Sequence, residues 1–221
     1  MVLSAVTLVD EMLNRYARAA VTRILTPVAK LLLRLGVSPD VVTIIGTLGV
    51  CLGALVFFPM GELLIGVLVI TAFVFSDTID GVMARMLDRS SSWGAFLDST
   101  LDRMGDAAIF AGLAIWYFQG GDDRVMAWLA LACLVLGSLV SYARARAEGL
   151  GMRADVGIAE RADRLVAALV TTGLVGMGLP EVALKIVLAL LALASIVTVV
   201  QRILVVRQQV RAAAGARAPT A

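Results

Sequence analysis

The sequence of 221 residues contains no histidine. That removes the usual general base at neutral pH and the usual zinc ligand, leaving proton chemistry to carboxylates, tyrosines and lysines. Charge is scarce as well: 16% of residues are Asp, Glu, Lys or Arg, where a soluble domain carries about a quarter. Hydrophobic residues make up 60% and the mean hydropathy is +0.94. These values argue against a soluble fold and for an all-α integral membrane protein. Cysteine is limited to Cys51 and Cys133. Both sit in apolar stretches without metal-ligand spacing, so they read as small buried hydrophobes. Met1 to Val9 is apolar, but it has no basic segment and is followed at once by Asp10 and Glu11, so no cleaved signal peptide is expected. No internal repeat is visible.

What is present is a set of six apolar segments, near 41–59, 63–85, 95–118, 125–146, 161–179 and 182–205. Each approaches the roughly 20 residues needed to cross the hydrocarbon. Pro59-Met60-Gly61, the segment 119–123 and the segment 178–181 form tight turns on one side; 86–94 and 147–160 are longer, polar and basic on the other. Of the 19 Lys and Arg, all but Arg124 and Lys185 lie with these longer connections or the termini. The positive-inside rule therefore places both termini in the cytoplasm of a multi-pass cell-membrane protein. Residues 11–35 interleave apolar positions with Arg15, Arg18, Arg23, Lys30 and Arg34, which predicts an amphipathic helix lying in the interface, its cations towards lipid phosphates, kinked at Pro27. Residues 1–207 are expected to form one membrane domain. The Ala-, Arg- and Pro-rich stretch 208–221 reads as a disordered cytoplasmic tail. No nucleic-acid partner is expected.

Within this apolar background stand two aspartate pairs, Asp77 with Asp80 and Asp98 with Asp102. A charge at the bilayer centre costs about 2.5–3.5 kcal/mol on insertion scales. Spacings of three and four residues put each pair on one helix face. Four carboxylates converging without counter-charge repel strongly in a low dielectric; Mg²⁺ or Mn²⁺, which take oxygen ligands, would remove the conflict. Two such ions about 3.5–4 Å apart would also clamp the attacking and leaving oxygens of a phosphoryl transfer. Gly81 and Gly94 would let a substrate or a neighbouring helix approach the backbone. Two other readings fit the same spacing: a proton relay or ion pathway, as in a cation- or proton-coupled transporter, and structural Asp–Arg pairing such as Asp80 with Arg85.

The stretch reads D-x-x-D-G-x-x-A-R, eight residues, then G-x-x-x-D-x-x-x-D, with Asp77, Asp80, Gly81, Ala84, Arg85, Gly94, Asp98 and Asp102 at the fixed positions. It resembles the signature of the CDP-alcohol phosphotransferases, and the six-span plan with a preceding interfacial helix is similar to theirs up to about residue 207. The resemblance implies an enzyme that exchanges the CMP of a CDP-activated lipid for an alcohol. It implies that Asp77, Asp80, Asp98 and Asp102 hold divalent metal, usually two ions, and that Asp102 also accepts the proton of the attacking hydroxyl. Gly81 and Arg85 match positions that contact the CDP moiety, and a guanidinium suits a pyrophosphate oxygen. Ser91, in the linker, is a further candidate contact or an ordinary polar loop residue. Ser38-Pro39 reads as a helix cap followed by proline in the first turn. By resemblance, Asp40, Val41, Val42 and Thr43 lie against the nucleotide of CDP-diacylglycerol; a helix N-terminus is also a natural phosphate site.

A second basic cluster bears on the acceptor: Arg144 and Arg146 at the end of the fourth span, Arg153, then Arg161 and Arg164 opening the fifth, and Arg202 near the end of the sixth. A dianionic phosphate is best held by two or three guanidinium groups, so a phosphorylated acceptor fits; anchoring of lipid headgroups fits too. The text from Arg23 to Thr47 and the run Glu160-Arg161-Ala162-Asp163-Arg164 most resemble actinobacterial family members that use inositol phosphate and give phosphatidylinositol phosphate and CMP. That likeness implies Arg146, Arg164 and Arg202 as the acceptor's grip, with Arg144, Arg153 and Arg161 as weaker candidates. Glycerol 3-phosphate, as in phosphatidylglycerophosphate synthesis, is the alternative acceptor. Gly49 and Gly53, four apart, permit close helix contact within or between chains; the resemblance suggests a homodimer.

Overall fold

The computed structural model describes residues 25–87 and 91–215, excluding the side chains of residues 76–78 and 214–215. Among these residues the regular structure is entirely helical. Helix α1 is described over 25–34; α2 is Pro39–Leu52, continued by a π-helical turn Gly53–Phe57; α3 is Leu63–Met86; α4, Ser92–Gln119; α5, Arg124–Glu148; α6, Arg161–Gly176; and α7, Glu181–Gly215. Of the interfacial helix expected over 11–35, the part 11–24 lies outside the described residues. A kink at Pro27, which would open the bond to residue 23, lies outside them as well.

Local chemistry sets the ends that matter for the site. Helix α1 stops at Gly36, whose φ of +79° is the left-handed conformation favoured after a helix. Val37 N–H then donates to Leu32 C=O at 3.0 Å, closing the last turn. Ser38 follows, its Oγ accepting from Val41 N–H at 3.4 Å, and Pro39 opens α2 as expected. Ser91 caps α4 in the same way, accepting from Gly94 N–H at 2.9 Å.

Among the described residues four helical stretches are long and apolar enough to cross a membrane: Pro39–Phe57, Leu63–Met86, Arg124–Glu148 and Glu181–Ala213. Six were expected. Helix α4 is long, at 28 residues, but it carries Asp98, Asp102, Arg103 and Asp106. Helix α6 has only 16 residues and begins with three charged side chains in four. Helix α7 runs to Gly215, eight residues past the point at which a disordered tail was expected. Ala, Arg and Gln are good helix formers, so the helix continues after the apolar run ends.

The described residues divide into two units, one comprising those up to Val50 and those within Thr71–Asp102, the other Cys51–Ile70 and those from Arg103 onward. The first has a small apolar core of Ala29, Val82 and Met83, with Leu32, Leu33, Val42 and Ile79 packed against it. In the second, Gly112 of α4 lets that helix meet the π-helical turn: a Cβ there would stand 2.3 Å from the Ala54 carbonyl oxygen. The Gly49/Gly53 pair serves contact within the chain. Gly49 faces Phe73 in the first unit, and Gly53 faces Val69 and Ile70 in the second.

Candidate active site

In the first unit a cavity of about 960 Å³ is lined by Asp40, Thr43, Asp80, Gly81, Ser91, Gly94 and Asp98, with Val37, Ser38 and Pro39 from the turn before α2. Residues from α2, α3 and the start of α4 thus meet in one place. The Asp80 carboxylate is buried, 8% exposed, and accepts a hydrogen bond from Thr43 Oγ1 at 2.5 Å. The same oxygen lies 3.1 Å from the Pro39 carbonyl. A hydroxyl has one proton to give, and the shorter contact goes to the charged acceptor, where such bonds are stronger. Among the described residues nothing lies within 4 Å of where a Cβ on Gly81 would project; a Cβ on Gly94 would meet Ser91 Oγ at 3.2 Å and Asp40 Oδ1 at 3.9 Å. Both glycines therefore keep the wall of the cavity thin.

Not every expected residue lines this space. Val42 belongs to the apolar core beside Val82 and Met83. Val41 and Arg85 are exposed, and Asp102 is half-buried one turn beyond Asp98 on α4. None of these four is among the lining residues. Asp77 lies on the same turn of α3 as Asp80, its side chain outside the described residues. The donors at the cavity, carboxylates of Asp40, Asp80 and Asp98 with the Thr43 hydroxyl, are all oxygen, the chemistry a hard divalent cation takes. Among the described residues no three Asp, Glu, Cys or His side chains gather closely enough to hold an ion by themselves.

The second unit contains the arginine cluster. Arg164 is 2% exposed and Arg202 5% exposed, and both are pinned by main-chain carbonyls. Arg164 donates to Ala159 C=O at 2.9 Å and Gly137 C=O at 3.5 Å; Arg202 donates to Val156 C=O at 2.9 Å and Val140 C=O at 2.5 Å. Arg146 is exposed at the end of α5. Arg144 pairs with Glu148 at 2.9 Å and Asp155 at 3.1 Å. Arg161 pairs with Asp106 at 3.0 Å, and Arg103 approaches that carboxylate at 3.9 Å. Asp106 escaped the sequence reading, although it continues the four-residue spacing of Asp98 and Asp102 along α4.

The chain belongs to the CDP-alcohol phosphatidyltransferase family, whose model matches residues 36–159, a stretch holding every aspartate of the signature. The resemblance read from those residues is borne out: the protein is a phosphotransferase built of membrane helices. It is 53% identical over 209 residues to the phosphatidylinositol phosphate synthase of Streptomyces avermitilis, covering 92% of this chain and 86% of that one. To the synthase of Cutibacterium acnes it is 53% identical over 200 residues, covering 86% and 96%. Among solved structures, the Mycobacterium tuberculosis phosphatidylinositol phosphate synthase with CDP-DAG bound superposes with a TM-score of 0.80 at 44% identity, covering 83% of this chain and 94% of that one. The same synthase in complex with manganese and citrate gives a TM-score of 0.79 at 43% identity, covering 82% and 88%.

Proposed function

We propose that the protein is a phosphatidyltransferase that moves the phosphatidyl group of CDP-diacylglycerol onto a hydroxyl of inositol phosphate, releasing CMP. The observation that carries this reading is the cavity in which both halves of the signature, Asp80 and Gly81 from one and Gly94 and Asp98 from the other, meet Asp40 and Thr43. Relatives of 53% identity named for that reaction support the choice of acceptor.

In this reading Asp77, Asp80, Asp98 and Asp102 hold two divalent ions, Mg²⁺ with Mn²⁺ as a substitute. Such ions supply charge neutralisation at the pyrophosphate and at the developing oxyanion. Thr43 orients the Asp80 carboxylate. Asp40, Gly81 and Ser91 line the volume given to the cytidine diphosphate, and Val41, Val42 and Arg85 flank it. Asp102 takes the proton of the acceptor hydroxyl, whose oxygen forms a bond to the β-phosphorus while the bond from that phosphorus to the CMP oxygen breaks. The acceptor's phosphate is assigned to Arg146, Arg164 and Arg202. Helices α4 and α6 complete six crossings, and the N-terminal helix lies in the interface. Both termini face the cytoplasm of the cell membrane, by the distribution of Lys and Arg, and two copies form a homodimer.

The test is CMP release by purified protein in detergent, with CDP-diacylglycerol and Mg²⁺. Inositol phosphate, glycerol 3-phosphate, serine and free inositol are compared in parallel. Release dependent on inositol phosphate is expected. Turnover with glycerol 3-phosphate in its place overturns the acceptor; metal- or proton-coupled flux in vesicles without CMP release overturns the reaction class.

A further inference from the structure

The connection between α5 and α6, residues 149–160, contains no regular secondary structure, yet its backbone is closely satisfied. Gly149 to Met152 donate back to α5 carbonyls, and three α7 side chains hold the connection at Arg153, Val156, Ile158 and Ala159. Thr198 Oγ1 accepts from Ile158 N–H and Ala159 N–H, each at 3.2 Å, and Arg202 Nε donates to Val156 C=O at 2.9 Å. Gln209 does both: its Oε1 accepts from Arg153 N–H at 3.0 Å, and its Nε2 donates to Arg153 C=O at 2.5 Å. Positions 198, 202 and 209 are four and seven apart, so they share one face of α7. Ala154 and Ala159 of the same connection are buried. Gly157 sits so close that a Cβ would stand 2.4 Å from Thr198 Cγ2.

Thr198 and Arg202 lie within the apolar part of α7; Gln209 lies beyond it, on the extension that the sequence reads as a disordered tail. The amide of Gln209 makes a two-point clamp on the backbone of one residue, and that residue's own side chain is left outside: Arg153 is exposed. A clamp of this kind fixes the direction of the Arg153 Cα–Cβ bond while leaving the guanidinium available to an anion. On the other side of the same loop, Asp155 is tied to Arg144 at 3.1 Å.

We infer that Gln209 is a positioning residue that acts through Arg153, presetting this arginine for the phosphate of the acceptor substrate. The inference rests on the proposed transferase reaction, and it gives the cytosolic end of α7 a role in acceptor recognition. Without the clamp, the Arg153 backbone must be ordered on each binding event, and the cost appears in KM for the acceptor rather than in the chemical step.

The experiment is a double-mutant cycle on the full-length protein, using Gln209→Leu, Arg153→Ala and the combination, with CMP release measured against inositol phosphate at saturating CDP-diacylglycerol. Gln209→Leu is expected to raise KM for inositol phosphate about tenfold, as loss of roughly 1.4 kcal/mol from two hydrogen bonds implies. Its kcat and its KM for CDP-diacylglycerol are expected to stay within about twofold. In the Arg153→Ala background the same substitution should add nothing. An unchanged acceptor KM, or an undiminished penalty when Arg153 is already alanine, overturns the inference. Should Gln209→Leu fail to fold, Gln209→Glu enters the same cycle, because it keeps the acceptor oxygen and loses the donor. Amide exchange in the wild type is the check independent of activity: the Arg153 N–H is expected to be protected, and exchange at the rate of a free amide also overturns the clamp. A wild type that releases CMP only with a different phosphorylated acceptor sinks the inositol phosphate reading alone, and the cycle is then read against that acceptor.

Discussion

Replacing Thr43 by valine removes one hydrogen bond and almost nothing else. The side chains are nearly isosteric, and position 43 is 6% exposed, so the volume it fills is kept. What is lost is the donor at 2.5 Å to Asp80, a carboxylate that is itself 8% exposed. A hydrogen bond to a charged group contributes about 1.5–3 kcal/mol, which at 1.4 kcal/mol per decade is a factor of about 10 to 100. Loss of groups that orient a metal-ligating carboxylate costs a similar 10- to 100-fold in metal affinity. Thr43→Val is therefore expected to shift the Mg²⁺ dependence of CMP release upward by about 10- to 100-fold and to lower kcat/KM at subsaturating metal, while Thr43→Ser restores most of it by restoring the hydroxyl. If the valine variant has wild-type Mg²⁺ dependence and wild-type kcat/KM, Asp80 does not depend on Thr43 and the role given to this contact is wrong. A valine variant rescued by added metal would separate this role from direct contact with nucleotide, which predicts instead a raised KM for CDP-diacylglycerol at all metal concentrations.

Three further outcomes follow from named contacts. Asp102→Asn should reduce CMP release by at least about 10²-fold, the contribution of a positioned general base, with an unchanged elution profile in detergent; near-normal turnover removes Asp102 as the base. Gly112→Ala puts a Cβ 2.3 Å from the Ala54 carbonyl oxygen, and an overpacked contact of this kind costs about 1–3 kcal/mol, a fall of roughly 2–12 °C in Tm for a chain of this size, read by thermal unfolding in detergent. Asp123 caps α5 by accepting from Met126 N–H at 3.1 Å and pairs with Lys185; the Lys185 bond first, then the cap, hold its carboxyl below the usual carboxylate range. Because the folded value is depressed, the contribution is complete above about pH 4 and is lost as pH falls through the lower folded value. Asp123→Asn, which keeps a capping oxygen, should lower Tm slightly at pH 7, with the gap closing on acidification.

The sequence made local features legible and long-range pairings invisible. The signature could be read because its chemistry is carried by fixed spacings along α3 and α4. The helix bounds of α3 and α5 came within two residues, 63–85 against Leu63–Met86 and 125–146 against Arg124–Glu148, because the apolar runs end in turn residues. The end of α7 was missed because its apolar run stops well before Gly215, and the clamp on Gln209 spans 56 residues of sequence. Thr43 was expected against nucleotide; its partner Asp80 is 37 residues away, and no periodicity announces such a pair. The Gly49/Gly53 spacing permitted contact within the chain or between chains, and the positions of Phe73 and Ile70 assign it to the former.

The arginines carry the same lesson one step further into chemistry. At sequence level Arg144, Arg146, Arg153, Arg161, Arg164 and Arg202 are one basic cluster, but their partners divide them. Arg144 and Arg161 are bound to carboxylates, which cancel their charge towards an incoming anion. The contacts of Arg202 are to the carbonyls of Val156 and Val140, and those of Arg164 are to Ala159 and Gly137. Carbonyl dipoles satisfy N–H donors without neutralising the cation. A buried guanidinium held that way is costly to keep, and the cost falls when a dianion arrives, because the charge is already desolvated and its direction already set. Position within a basic cluster is therefore a weak guide to anion binding in this fold. The better guide is whether a guanidinium's existing partners are charged or neutral, and by that measure Arg164 and Arg202 are the stronger candidates for the acceptor's phosphate than Arg144 and Arg161.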